Sequence, residues 1–138
     1  MRAIIASFFY VMLSGCGGSE TKHHYLFGVW KSNEEMTLDS MNQVDGVTEK
    51  ARELLEDDFF GNLVVEYREK ETRAINEKDD FDTGFLPYEV LEVSEDRIRI
   101  KESSEILGET ETTIYPEGDC YYVIVSKFEF REYFCRVK

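Results

Sequence analysis

From residue 62 onward, apolar and polar side chains alternate in short runs broken by turn-forming residues. The alternation is cleanest in Arg97-Ile98-Arg99-Ile100-Lys101, where isoleucine alternates with cations. A period of two marks a half-buried strand, because successive side chains along a strand point to opposite faces. Such runs predict strands over 62–68, 71–76, 88–93, 97–102, 109–115, 120–125 and 129–137, with an earlier one over 25–31. Ser94-Glu95-Asp96 and Pro116-Glu117-Gly118-Asp119 punctuate them; in the second, proline fixes one dihedral and glycine accepts a positive one.

One stretch has a different period. Val47, Ala51, Leu54, Leu55 and Phe59 recur on one helical face, with charged residues on the other and Gly61 as a stop. A helix over 47–60 follows, with Asp45 as its N-cap. Residues 32–45 carry turn formers and little period, although Thr37-Leu38-Asp39-Ser40 is able to open a short helix.

The fold class is therefore mainly β with one helix. Eight strands joined mostly by short connections imply an antiparallel meander, and closure removes its exposed edges. The expected architecture is a small barrel or strongly curved sheet, with helix 47–60 between strands one and two and packed on one end or face.

The first residues read differently. Arg2 precedes an apolar run, AIIASFFYVML, and then Leu13-Ser14-Gly15-Cys16. A charged start, an apolar middle and small residues at a cut are the layout of a secretory signal. The run is shorter than the roughly 20 residues a membrane helix needs. Leucine, two small residues and cysteine resemble the lipobox of bacterial lipoproteins, in which the cysteine is lipidated and becomes the first mature residue. The resemblance implies a removed leader over 1–15, a lipidated Cys16 with its tether over 16–24, and a single domain over 25–138. An ordinary secretory signal with a cysteine beside the cut is the other reading, and either places the chain in the cell envelope. Gly17 is not the aspartate that retains many lipoproteins in the inner membrane, so the resemblance favours the outer membrane, facing the periplasm.

In an oxidising envelope Cys120 and Cys135 are expected to pair as a disulfide. A hairpin turning about Lys127-Phe128 places Cys120 opposite Cys135 and Tyr122 opposite Tyr133, and directly opposed cysteines meet the spacing a disulfide requires.

The chain has 138 residues, enough for one ordinary domain, and a formal net charge of −13. That charge excludes nucleic acid as a partner, since binding it needs clustered cations. It also disfavours lying flat on an anionic lipid surface, so contact with the membrane is expected only through the N-terminal lipid. A basic envelope protein is attracted instead, although a negative surface is more often simply a solvated one.

A second resemblance rests on Gly28-Val29-Trp30 in the first strand of an eight-stranded meander. This is similar to the start of the lipocalin and wider calycin barrels. It implies a tryptophan that plugs one barrel end and an arginine of the last strand, Arg131 or Arg136, stacked on it. The chain departs from that pattern in its short length and in a helix that follows strand one.

Catalytic residues are not indicated. His23 and His24 are the only histidines and both lie in the tether, so no Ser-His-Asp or Cys-His arrangement is available on the domain. The acidic stretch 77–84 lacks the glycine and late glutamate of a calcium loop. With 29 acidic residues, no carboxylate pair stands out for acid–base work. The reading is non-enzymatic, with no cofactor and no metal.

Two function classes follow. A protein-binding module (an inhibitor, immunity or assembly role) uses the acidic surface, broadly as the membrane-anchored inhibitors of C-type lysozyme act on a basic enzyme; no motif aligns with theirs residue by residue. The alternative is a lipocalin-like carrier of a small apolar ligand, with Trp30, Tyr88 and Tyr121 as candidate ligand-binding residues. Tyr25, Phe27, Tyr122 and Phe134 complete that aromatic supply, which is equally able to fill a core.

Overall fold

The computed structural model describes residues 24–106 and 108–138. Cys16 with its lipobox and His23 lie outside the described residues. A 3-10 turn, His24–Leu26, leads into nine strands: β1 Gly28–Ser32, β2 Leu63–Tyr67, β3 Glu71–Asn76, β4 Phe81–Asp82, β5 Leu86–Val93, β6 Ile98–Ser104, β7 Gly108–Glu117, β8 Cys120–Val125 and β9 Phe130–Arg136. Two helices, α1 Glu34–Asn42 and α2 Glu49–Glu56, fill the connection between β1 and β2.

Every pairing is antiparallel, in the order β2-β1-β9-β8-β7-β6-β5-β3-β4, and the additional β2–β3 pairing closes the ring. The result is a closed eight-stranded barrel with β4 as an extra two-residue strand beside β3, inside the acidic stretch that gave no strand signal. Carried from strand to strand, the register returns to β1 about twelve residues from where it left, against about eight in parallel eight-stranded barrels with fully packed interiors. The strands are therefore strongly tilted and the interior is wide for the strand number.

The β8–β9 hairpin has the expected register, Cys120 opposite Cys135 and Tyr122 opposite Tyr133, and the two sulfurs are bonded at 2.05 Å. Its turn is longer than a two-residue loop: residues 126–129 intervene, Phe128 and Glu129 both donate to the Val125 carbonyl, and Glu129 takes a positive φ of 61°. In the β7–β8 turn only Gly118 and Asp119 lie between the strands, so Pro116 belongs to β7.

The expected helix 47–60 is shorter, and it has a partner. Thr48, not Asp45, caps α2, accepting from the Ala51 amide at 3.2 Å. The helix stops at Glu56 and Asp58 turns left-handed at φ 52°, so the helical period never reaches Phe59. Phe59 and Leu54 consequently stand in solvent at 62% and 65% exposure, while Phe60 is buried. First strand and tyrosine also separate: Tyr25 belongs to the 3-10 turn, and β1 begins three residues later.

Helix α1 occupies the stretch with little period, and its reason is tertiary. β1 covers the edge of β9 only over residues 134–136. Beyond that, Asn33 N donates to the Tyr133 carbonyl at 2.8 Å, Thr37 Oγ1 accepts from Tyr133 N at 3.0 Å, and Ser40 Oγ accepts from Arg131 N at 2.9 Å. Residues 37 and 40 are three apart and share a helical face, so the helix continues the wall that the strand leaves, satisfying amides that would otherwise be orphaned. Asn33 caps it through a 3.0 Å bond from Met36 N. A satellite core of Met41, Val47, Phe60 and Phe130 joins the helices to the β8–β9 turn.

Candidate functional site

One end of the barrel is plugged. Trp30 is fully buried and donates from Nε1 to the Leu26 carbonyl at 2.8 Å. Arg136, from the last strand, lays its guanidinium 4.2 Å from the centre of the Trp30 ring and donates to the carbonyls of Phe27 (2.8 Å) and Tyr25 (2.6 Å). Such stacking combines cation–π attraction with the donors of a planar fork. Gly28 runs beneath it at φ +123°, where an added Cβ would lie 3.1 Å from Arg136 Nη1. Of the two candidate arginines, Arg136 is thus the one on the tryptophan; Arg131 lies 4.3 Å over Tyr122 on the outer face.

Above the plug the interior is packed. Tyr121 meets Trp30 at 4.9 Å, Phe134 at 5.2 Å and Tyr67 at 6.4 Å between ring centres, and Tyr67 meets Tyr88 at 5.8 Å. Ile98, Ile100 and Ile114 complete this tier. The candidate ligand residues Trp30, Tyr88 and Tyr121 all belong to it, at 0%, 7% and 1% exposure. They fill the core rather than line a space. Tyr25 and Phe27 border the plug, and Tyr122 faces outward with Tyr115 and Tyr133.

The next tier is different. Phe130, Glu132 and Phe134 alternate on the inner face of β9, and Glu132 lies opposite Val123. Ile98, Ile100 and Glu102 alternate likewise on β6, and Glu102 lies opposite Tyr88 and Thr110. Two carboxylates therefore point into the barrel directly above the tyrosines. Glu102 acts electrostatically on both Tyr67 and Tyr121, and Glu132 on Tyr121. Glu102, Glu132, Val123 and Thr112 are partly exposed.

Burial alone pushes the Glu132 carboxyl up to about 7, and it raises Glu102 as well. Three surface carboxylates are shifted the opposite way by cations: Lys78 holds Asp58 down, Arg73 holds Asp82 down to about 2, and Arg97 with Arg99 hold Glu92 down. On the inner face of β3, Thr72 is 4% exposed and its hydroxyl has no hydrogen-bond partner. It lies opposite Tyr67 and Leu86 at the level of the two glutamates once strand tilt is followed.

An open cleft of about 530 Å³ also runs outside the barrel between α1 and β9, lined by Met36, Asp39, Ser40, Gln43, Val44, Glu129, Arg131 and Tyr133. Ser40 and Tyr133 there are already engaged in pinning the helix. In the acidic stretch 77–84, Asp82 pairs with Arg73 and accepts from Gly84 N. Among the described residues no group of three or more His, Cys, Asp or Glu side chains is placed to hold a metal.

Sequence reading missed Glu102 and Glu132, although a signal was present. Each stands on the apolar parity of its strand, where alternation calls for a hydrophobic residue. The chain matches no protein-family model, and no curated protein and no solved structure matches it.

Proposed function

We propose that this chain is a lipid-anchored, non-enzymatic binding protein of the cell envelope, built on a calycin-type barrel that holds a small ligand in the tier above its tyrosines. The observation that carries the reading is the division of the barrel. Trp30 and Arg136 seal one end, while the next tier, with Glu102, Thr112, Val123 and Glu132, is polar and only partly buried. Wide eight-stranded barrels accommodate one small ligand in this way. The lipobox at Leu13-Ser14-Gly15-Cys16 supports the anchor, and Gly17 supports the outer membrane.

The test is saturable binding of a neutral apolar fluorophore such as Nile red by the full chain, compared with Val123→Trp. The indole is expected to fill the tier of Glu102 and Glu132 and abolish binding while near-ultraviolet circular dichroism stays native. Binding that survives in the natively folded variant, or no saturable binding by the parent chain, overturns the reading.

The net charge of −13 supports a second reading, in which the outer surface captures a basic envelope protein. It predicts an association with a C-type lysozyme that weakens steeply between low and physiological salt.

A further inference from the structure

We propose that the edge of β7 left bare where β7 and β8 part is a docking strand for a second protein, which adds an extended segment of alternating basic and apolar residues. The proposal deepens the reading in which the acidic surface captures a basic protein, rests on that reading, and gives it a place in the fold.

The edge follows from the register. β7 and β8 share three pairs, Glu117 with Cys120, Pro116 with Tyr121 and Tyr115 with Tyr122, and among the described residues none beyond them. Yet β7 extends back to Gly108, paired with β6 without a break from Ile114 to Gly108, and β8 runs on to Val125, paired with β9. The hairpin therefore parts into a seam, with residues 109–114 on one lip and 123–125 on the other. Backbone groups of successive residues point to alternate sides of an antiparallel strand. The hairpin closes over Gly118 and Asp119, so Glu117 and Tyr115 are the positions bonded to β8. By the same parity the N–H and C=O groups of Thr113, Glu111 and Glu109 face the seam, and among the described residues they have no partner.

Other places where strands part are covered or blunted. Thr37 and Ser40 of α1 accept from the amides of β9. β4 and Thr83 take over the edge of β3 from Ala74 onward. β5, past the bond from Tyr88 N to the Lys70 carbonyl, is interrupted by a bulge between Val90 and Glu92. Covering elements, short strands and bulges are the usual protections of an edge. Over 109–114 β7 has no such device: its register with β6 is continuous and it carries no proline there. An edge of this kind is a template for β-augmentation.

Charge selects the occupant. The outward side chains of Glu109 and Glu111 are 67% and 58% exposed, held from the β6 side by Lys101 and Arg99. Opposite charges facing each other across a strand pair stabilise it, and like charges oppose it. A second copy of this chain, paired antiparallel, sets these glutamates against its own. A strand with lysines opposite 109, 111 and 113 is stabilised by them instead. Its intervening residues point toward Thr112 and Val123, which are partly exposed at the seam, and are therefore apolar.

The experiment titrates the full chain with the peptide acetyl-Thr-Lys-Val-Lys-Val-Lys-Thr-amide, followed by calorimetry and by amide hydrogen exchange. Saturable binding that weakens with salt is expected, with exchange slowed at the amides of Glu109, Glu111 and Thr113. Methylating the three lysine amides, which face β7, should weaken binding at least about tenfold, because each loses a main-chain hydrogen bond. Methylating the valine amides, which face away, should not. Thr113→Pro deletes an N–H outside the β6 ladder and should act as the lysine methylation does; the methylated peptides keep the test independent of that variant's folding. Equal binding of the two methylated peptides, unchanged exchange at the three amides, or failure of the peptide with a chain that still captures a C-type lysozyme, overturns the edge and leaves the acidic-surface reading standing. Protection of the three amides in the chain alone means that its own residues or a second copy fill the edge, and also overturns it. Failure of peptide and lysozyme alike overturns both.

Discussion

Replacing Glu132 by glutamine tests the account of the inner tier most directly. Its carboxyl ordinarily ionises at 4.5 and in the fold at about 7, because burial penalises the charged form. Each pKa unit corresponds to about 1.4 kcal/mol, so the difference is worth about 3 kcal/mol. The folded state holds the proton more tightly than the unfolded chain. Glu132 thus weighs nothing against folding below pH 4.5, and stability is lost as the pH rises through about 7. Glutamine mimics the protonated carboxyl at every pH. Glu132→Gln should therefore match the parent near pH 4.5 and exceed it by up to about 3 kcal/mol at pH 8. Glu102, also raised by burial, acts in the same direction and remains in both proteins. The assay is urea denaturation at half-unit intervals from pH 4.5 to 8, read as the difference between the two proteins so that common titrations cancel. Parallel curves would refute the claim that Glu132 is held in a desolvated tier without a counter-charge.

Further outcomes can be checked by the same denaturation. Arg136→Ala removes two hydrogen bonds from a charged donor and the stacking on Trp30, and should cost about 2–4 kcal/mol; lysine should restore only part, because it lacks the planar fork. Thr37→Val leaves the buried Tyr133 amide without its acceptor and should cost about 1–3 kcal/mol, whereas Thr37→Ser should recover most of it. Converting Cys120 and Cys135 to serine opens a link spanning a sequence separation of 15, for which chain entropy gives about 3 kcal/mol, seen as a lower urea midpoint.

What was legible in the chain was whatever local alternation decides. The β8–β9 register was readable because one face must be buried, and a slip of one residue would turn Tyr121 and Phe134 outward. An antiparallel meander, as a barrel or a strongly curved sheet, was readable from short connections; its closure through the β2–β3 pairing was not. Helix α1 was not, because its residues carry little period of their own; Thr37 and Ser40 are placed by the bare edge of β9, which lies about ninety residues further on. The length of α2 misled for the opposite reason, the period running on to Phe59 past two aspartates that end the helix. The glutamates of the inner tier were visible as parity errors on β6 and β9. Their common level was not, since it depends on the tilt of the whole barrel. The stacking arginine was narrowed to two positions, and strand parity separates them: 136 shares the inner face with 134, and 131 does not.

The plug also sets a direction. The chain enters the barrel through His24–Leu26, on the sealed side, with Tyr25 clasped by Arg136 and by the β7–β8 turn. Glu132 lies four residues along β9 from Arg136, on the far side of Trp30 from that entry, and Phe130 beyond it is packed under the helices. The chain that enters at one end thus returns after β1 to cover the other, so a single strand separates the two closures of the barrel.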